Sequence, residues 1–183
     1  VEELVRNAAH SRIITTNEMT ENYEHLAGKI HCWVISSLVE KAAYECAFKH
    51  TDLPCTTVSI DSFIFHSPLN VGQNLTLFAS VNFVNQNSVI VGIRGETEQK
   101  HICTAFLSMV PRNEQNRKNP IPKLVLQTTE DVRRYMEAKI RREASIFSEV
   151  TTEQRIAELN IFRALDQVRR DRNVVLGFEL TEL

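Results

Sequence analysis

The sequence holds no apolar run near the roughly 18 residues that a membrane-spanning helix needs, so no membrane span is expected. It has no basic excess: Lys plus Arg is 21 against 23 Asp plus Glu, a net charge of −2. That argues against a generic nucleic-acid or membrane-surface binder. Its four cysteines, at positions 32, 46, 55 and 103, form no C-x-x-C pair, which leaves a zinc site or redox pair without support. The six histidines, at 10, 25, 31, 50, 66 and 101, lack metal-ligand spacing, and we expect no metal. G-x-S-x-G, P-loop, G-x-G-x-x-G and H-E-x-x-H motifs are absent, which argues against serine-elbow and zincin hydrolases. Repeats and low-complexity stretches are also lacking.

What remains is an ordinary soluble globule of 183 residues, 43% apolar and 24% charged. At about 150 residues per domain, that is one domain plus an extension. Cys32 and Cys46 fall in a helical pattern and read as small apolar residues. Such usage points to a reducing compartment, cytoplasmic, with the mitochondrion as the alternative. The chain begins at Val1 rather than Met, so a missing leader proves little. Asn74-Leu75-Thr76 matches a glycosylation sequon inside a strand pattern and is read as chance.

Residues 11–16 are β-branched and predict a first strand, and the polar stretch 17–29 reads as a loop. From His31 to Phe48, Val34, Ile35, Leu38, Val39, Ala42, Ala43, Cys46 and Ala47 recur every three to four positions. That is a wide apolar stripe on a helix about 27 Å long. Four strands follow, over 56–66, about 75–83, about 89–93 and 101–110. In the second, Leu75, Leu77, Ala79, Val81 and Phe83 share one face. Short turns between strands favour an antiparallel sheet. One helix stripe and one apolar sheet face imply an α+β fold, a curved sheet wrapped around a central helix. A polar linker occupies 112–123. Two helical patterns follow, one from Thr129 to about Phe147 and one opened by Thr151 and Gln154 as a capping box. The second carries Ile156, Leu159, Phe162, Leu165 and Val168 on one face, expected to be buried against the sheet or a neighbouring subunit. We divide the chain into residues 1–125 and a helical extension, 126–183.

The start of the first helix offers chemistry. Ser36 and Glu40 stand at i and i+4, sharing a face with Ser37 and Tyr44. His31, Cys32 and Trp33 precede them, where a helix exposes unpaired backbone N–H groups that favour developing negative charge. A carboxylate near such a cluster suits a base and an oxyanion site. On spacing alone, the same pattern also describes a solvated or interface face.

The stretch His25-Leu26-Ala27-Gly28-Lys29-Ile30-His31-Cys32-Trp33-Val34, continuing to Leu38-Val39-Glu40-Lys41-Ala42-Ala43, resembles the helix start of the hotdog-fold acyl-CoA thioesterases. There the pattern is roughly Asn-x-x-Gly-Asn-x-x-Gly-Gly, followed by an apolar helix with an acid before a small pair. Residues 57–65 are similar to the family's "T-A-S-V-D-x-I-x-F", and 67–72 to its "x-P-x-x-V-G". Residues 87–91 resemble its "T-S-M-E-V", and 120–122 its "V-P-P". The ordered set covers about 11–125 and implies a hotdog fold, a helix wrapped by an antiparallel sheet. It implies hydrolysis of acyl-CoA to free acid and coenzyme A, with no cofactor beyond the thioester substrate. It places Glu40 as general base or water positioner, His25 at the orienting Asn, and Cys32 and Trp33 at the Gly-Gly backbone donors. His31, Ser36 and Arg94 are the further candidate substrate contacts, Arg94 for a coenzyme A phosphate. The departures are Cys32-Trp33 for Gly-Gly, His25 for Asn and Lys29 for the second Asn. They frame the alternative: a non-catalytic hotdog acyl-CoA-binding or assembly subunit. The resemblance also implies a homodimer or a trimer of dimers. Asp61, on a strand among apolar residues, reads as a hydrogen-bonded interface residue.

Overall fold

The computed structural model describes residues 4–112 and 121–158. Its elements are β1 (Val5–Asn7), β2 (Ile13–Glu18), α1 (Cys32–Thr51), β3 (Cys55–Phe65), β4 (Asn74–Val84), β5 (Val89–Glu96), β6 (His101–Pro111), β7 (Lys123–Val125) and α2 (Thr129–Ala157). Five strands form an antiparallel sheet in the order β2-β4-β5-β6-β3. The helix-wrapped α+β architecture expected from periodicity is therefore the one observed, and it is the hotdog arrangement.

The sequence explains how α1 enters this sheet. Ala42, Ala43, Cys46 and Ala47 are buried, and side chains this small let the helix axis come close to the strands. Val34, Ile35 and Val39 fill the wider space near its start. From the sheet, Leu75, Leu77, Val81, Val91, Leu107 and Met109 meet them, none more than 1% exposed. Fully burying such a side chain contributes roughly 1.5–3 kcal/mol. At its C-terminus α1 stops on Asp52, in the left-handed region at φ 56°, whose N–H donates to the Phe48 carbonyl.

The strands curve through bulges. β3 slips twice against β6, at Thr57/Ser59 and Ile60/Ser62, and β4 slips against β5 between Val81 and Phe83. An extra residue in one strand bends it and reverses the facing of the residues after it. This corrects the expectation that Phe83 lies with Leu75 and Val81. Phe83 turns to the opposite face, packs with Ile90, Phe106 and Ala138, and meets the Tyr135 ring at 5.1 Å. That face lies beneath the first half of α2.

Further differences from expectation concern α2 and the short strands. α2 runs unbroken through 147–151, where a new helix was expected to start. No Gly or Pro lies between 123 and 157 to stop it, and a capping box needs a break before it. β1 and β7 form a small parallel sheet of their own, with Val5 opposite Lys123. This pairing was not anticipated. The chain divides into two compact units, Val1–Glu143 and Ala144–Leu183. In the second unit Ile156 is exposed in the single chain, so burial against a neighbouring subunit is the form of that expectation that stands. Leu159, Phe162, Leu165 and Val168 lie outside the described residues, as does most of the expected linker. No described helix is long and apolar enough to cross a membrane.

Candidate active site

A small hairpin builds the approach to α1. Ala27 and Gly28 both take positive φ, 53° and 74°, the conformation of a tight two-residue turn. Lys29 N–H donates to Leu26 O at 3.1 Å, and His25 N–H to Lys29 O at 2.7 Å. The Glu24 carboxylate accepts from Gly28 N–H at 2.8 Å. The hairpin then docks on the turn before β4: Ile30 N–H donates to Leu69 O, Val71 N–H to Gly28 O, and Lys29 Nζ to Asn70 Oδ1. Lys29, standing where the resembling family has its second Asn, thus supports the turn. The expected loop over 17–29 holds this hairpin and the end of β2.

The hairpin places His25 beside His31. Their rings stack at 4.2 Å with planes 10° apart, and the Trp33 ring lies 6.4 Å from His31. His31 is the N-cap residue of α1, yet its side chain makes no capping hydrogen bond. Cys32 N–H and Trp33 N–H, in the first turn, donate to no described residue. Both side chains are exposed, Trp33 to 60%. The start of α1 is therefore an open pair of donors walled by two imidazoles and an indole.

Ser36 is less free than its spacing suggests. Its hydroxyl donates to Cys32 O at 3.0 Å, a local bond that satisfies it inside the helix. Glu40 is exposed and forms no hydrogen bond or ion pair with a described residue. Further along lie Tyr44 and Phe48, 40% and 44% exposed, with rings 6.2 Å apart. The exposed face of α1 is thus a carboxylate set between aromatic groups.

The structure brings together His25, His31, Cys32 and Trp33, with Ser36 and Glu40 on the helix they introduce. Arg94 is not among them. It stands on the sheet face away from α1, opposite Phe78 and Thr104 in register, and pairs with Glu96. Asp61 accepts from the Ser59 and Ser108 hydroxyls, each at 2.6 Å, as a hydrogen-bonded carboxylate. Sequence reasoning missed Thr57. It lies opposite Met109, whose side chain packs under α1, and its buried hydroxyl has no hydrogen-bond partner. The signal available was its place at the head of the 57–65 match. Among the described residues no group of three or more His, Cys, Asp or Glu could hold a metal ion.

Comparison with known proteins supplies context for this geometry. The family model of the Thioesterase superfamily matches residues 27–104, which begins at the hairpin's turn and takes in α1 and most of the sheet. Protein VdlD of Helicobacter pylori is 31% identical over 130 residues, covering 68% of this chain and 72% of that protein. The mouse (Mus musculus) cytosolic acyl coenzyme A thioester hydrolase is 26% identical over 124 residues, 63% of this chain but 32% of that longer protein. Among solved structures, an apo hexameric acyl-CoA thioesterase superposes with a TM-score of 0.74 at 26% identity, covering 86% of this chain and 99% of that one.

Proposed function

The chain belongs to the thioesterase superfamily, and we propose on that premise that it hydrolyses acyl-CoA thioesters to the free acid and coenzyme A at the start of α1. The observation that carries the reading is the open pair of N–H groups at Cys32 and Trp33 on a helix that also exposes an unpartnered Glu40. Two preorganised donors at a helix start stabilise the oxyanion that forms when water attacks a thioester carbonyl. Glu40 takes the proton of that water as general base. The His25 imidazole, held against His31, orients the water or the carbonyl. Collapse of the tetrahedral intermediate then breaks the C–S bond, and the proton passes to the leaving thiolate.

Helix geometry decides how many copies this needs. Cys32 and Glu40 are eight residues apart, about 12 Å along the axis at 1.5 Å per residue. One water cannot bridge that span. Two antiparallel α1 helices from two copies would bring Glu40 of the partner subunit to the donors at Cys32 and Trp33. We therefore infer a composite site in a homodimer, alone or within a trimer of dimers. Support comes from β3, an edge strand with no neighbour beyond it among the described residues. It exposes Val58, Ile60, Ile64 and Phe65, and an open apolar edge of this kind favours pairing with another copy.

The alternative, an acyl-CoA-binding or assembly subunit without hydrolysis, rests on Trp33 standing where close approach of a thioester favours glycine. The indole is 60% exposed rather than locked into the core, which favours the enzyme. Thiol release from acyl-CoAs of graded chain length tests the choice. We expect turnover with at least one chain length. Binding without thiol release across the whole series would overturn the enzyme reading.

A further inference from the structure

α2 carries two apolar sides, and the chain's own packing uses one. On the side turned to the sheet, Ala138 is buried and the Tyr135 ring meets Phe83. Val132, Met136, Ile140, Phe147 and Val150 follow at steps of four, four, seven and three residues. At about 100° per residue those steps keep all five within one sector, away from Ala138. All five are exposed, Phe147 to 74%. The stripe is about 27 Å long at 1.5 Å per residue. A surface helix needs one apolar stripe for its own core, and a second of this length marks a contact with another molecule.

The charges beside the stripe select that molecule. In the first half of α2 most cations are spent within the helix. Glu130 holds Arg133 and Arg134, Glu137 holds Arg133 and Arg141, and Glu143 holds Lys139. Arg142 forms no ion pair with a described residue. In the second half, Glu149 and Glu153 form none either. Arg142, Glu149 and Glu153 stand at i, i+7 and i+11, so they share one flank of the helix within about 20°. Exposed Ile146 lies between that flank and the stripe. Within one helix Arg142 and Glu149 are two turns, about 10 Å, apart along the axis and cannot pair.

A second α2 laid antiparallel resolves this. Equivalent flanks then face each other, and Arg142 comes against Glu149 and Glu153 of the partner subunit. The two-fold axis repeats the contact, so both sets of charges are matched. In that register Ile140 lies level with Val150 of the partner subunit, and Phe147 level with the small Ala144 of the partner subunit. A parallel pair would instead bring like charges level with one another.

We propose that α2 pairs antiparallel with α2 of a second copy of this chain through the Val132–Val150 stripe. The contact joins the first-unit half of the helix in one copy to the second-unit half in the other. It goes beyond the proposed hydrolysis and does not depend on it. Beside pairing at the β3 edge, it gives the chain a second two-fold contact. Two such contacts close into a dihedral assembly such as a trimer of dimers.

Light scattering of the full chain at micromolar concentration tests this. Phe147→Glu with Val150→Glu changes only exposed positions, so the helical circular dichroism should persist. This variant should hold at most half as many chains per particle as the parent. Arg142→Glu should weaken the association at least tenfold. Adding Glu149→Arg and Glu153→Arg to it swaps the flank charges in every copy and should restore the parent mass. A monomeric parent would overturn the proposal. So would an unchanged mass in the folded Phe147→Glu, Val150→Glu variant, the result expected if residues 159–183 of the same chain cover the stripe. No recovery in the charge-swapped variant would also overturn it. Thiol release from acyl-CoA, measured on the same samples, reports separately on hydrolysis.

Discussion

Glu40 holds a carboxylate on an exposed turn of α1 and forms no ion pair with a described residue. An acid placed this way contributes little to stability, so its replacement isolates its chemistry. Glu40→Gln keeps the shape and removes the base. General-base catalysis contributes about 10²–10⁴-fold, so we expect kcat for thiol release to fall at least about a hundredfold while acyl-CoA binding persists. Unchanged kcat would remove Glu40 from the reaction. At the opposite end of α1, His50 is fully buried, its Nε2 3.0 Å from Pro122 O and its Nδ1 without a partner. Burial pushes its pKa below the ordinary histidine value, and the nearby Arg6 and His10 add to the effect, while the Pro122 bond opposes it. The unfolded chain binds a proton near pH 6.5, which the folded chain resists. Stability should therefore be held above that pH and lost as pH falls below it, towards the depressed folded value. His50→Gln retains a donor for Pro122 and cannot titrate. Urea midpoints between pH 7 and 5 should fall less steeply for this variant than for the parent, and equal slopes would contradict the assignment.

At the scale of elements, α2 offers a direct check on helix continuity. Ser148 sits where a break between two helices was expected, yet the helix runs through it. Proline inside a helix costs about 3 kcal/mol, so Ser148→Pro should reduce helical circular dichroism. An unchanged spectrum would restore two separate helices. Elements with a long period were legible in the sequence. α1 announces itself over five turns, and β4 alternates cleanly from Leu75 to Val81. The three-residue strands β1 and β7 have no period to read, and their pairing joins residues more than a hundred positions apart. Phe83 misled because alternation assumes an unbroken register, and the bulge after Val81 adds one residue. For the site, Glu40, Cys32 and Trp33 could be singled out by helix position and resemblance. The stacking of His25 on His31 depends on a turn made by Ala27 and Gly28, a pair without the usual hairpin signature. The face of Arg94 was readable: Val89, Val91 and Ile93 point to α1, so the residue after Ile93 points away. Thr57 shows the reverse limit, since a partnerless buried hydroxyl is visible only in three dimensions.

At the scale of the whole molecule, the proposed chemistry requires more than one copy. In that proposal the open edge of β3 and the exposed face of α1 belong to one half of a site. Light scattering at micromolar concentration should show a dimer or a hexamer, and a stable monomer would contradict the composite site. The most direct test mixes two inactive chains. Glu40→Gln lacks the base. Trp33→Pro lacks one backbone donor, at a first-turn position where proline is tolerated. In a mixed dimer, one of the two composite sites carries an intact base from one chain and intact donors from the other. Each variant alone should be inactive, and co-refolding the two should restore thiol release from acyl-CoA. No restoration, with mixed dimers demonstrated by differential tags, would contradict a site shared between two copies.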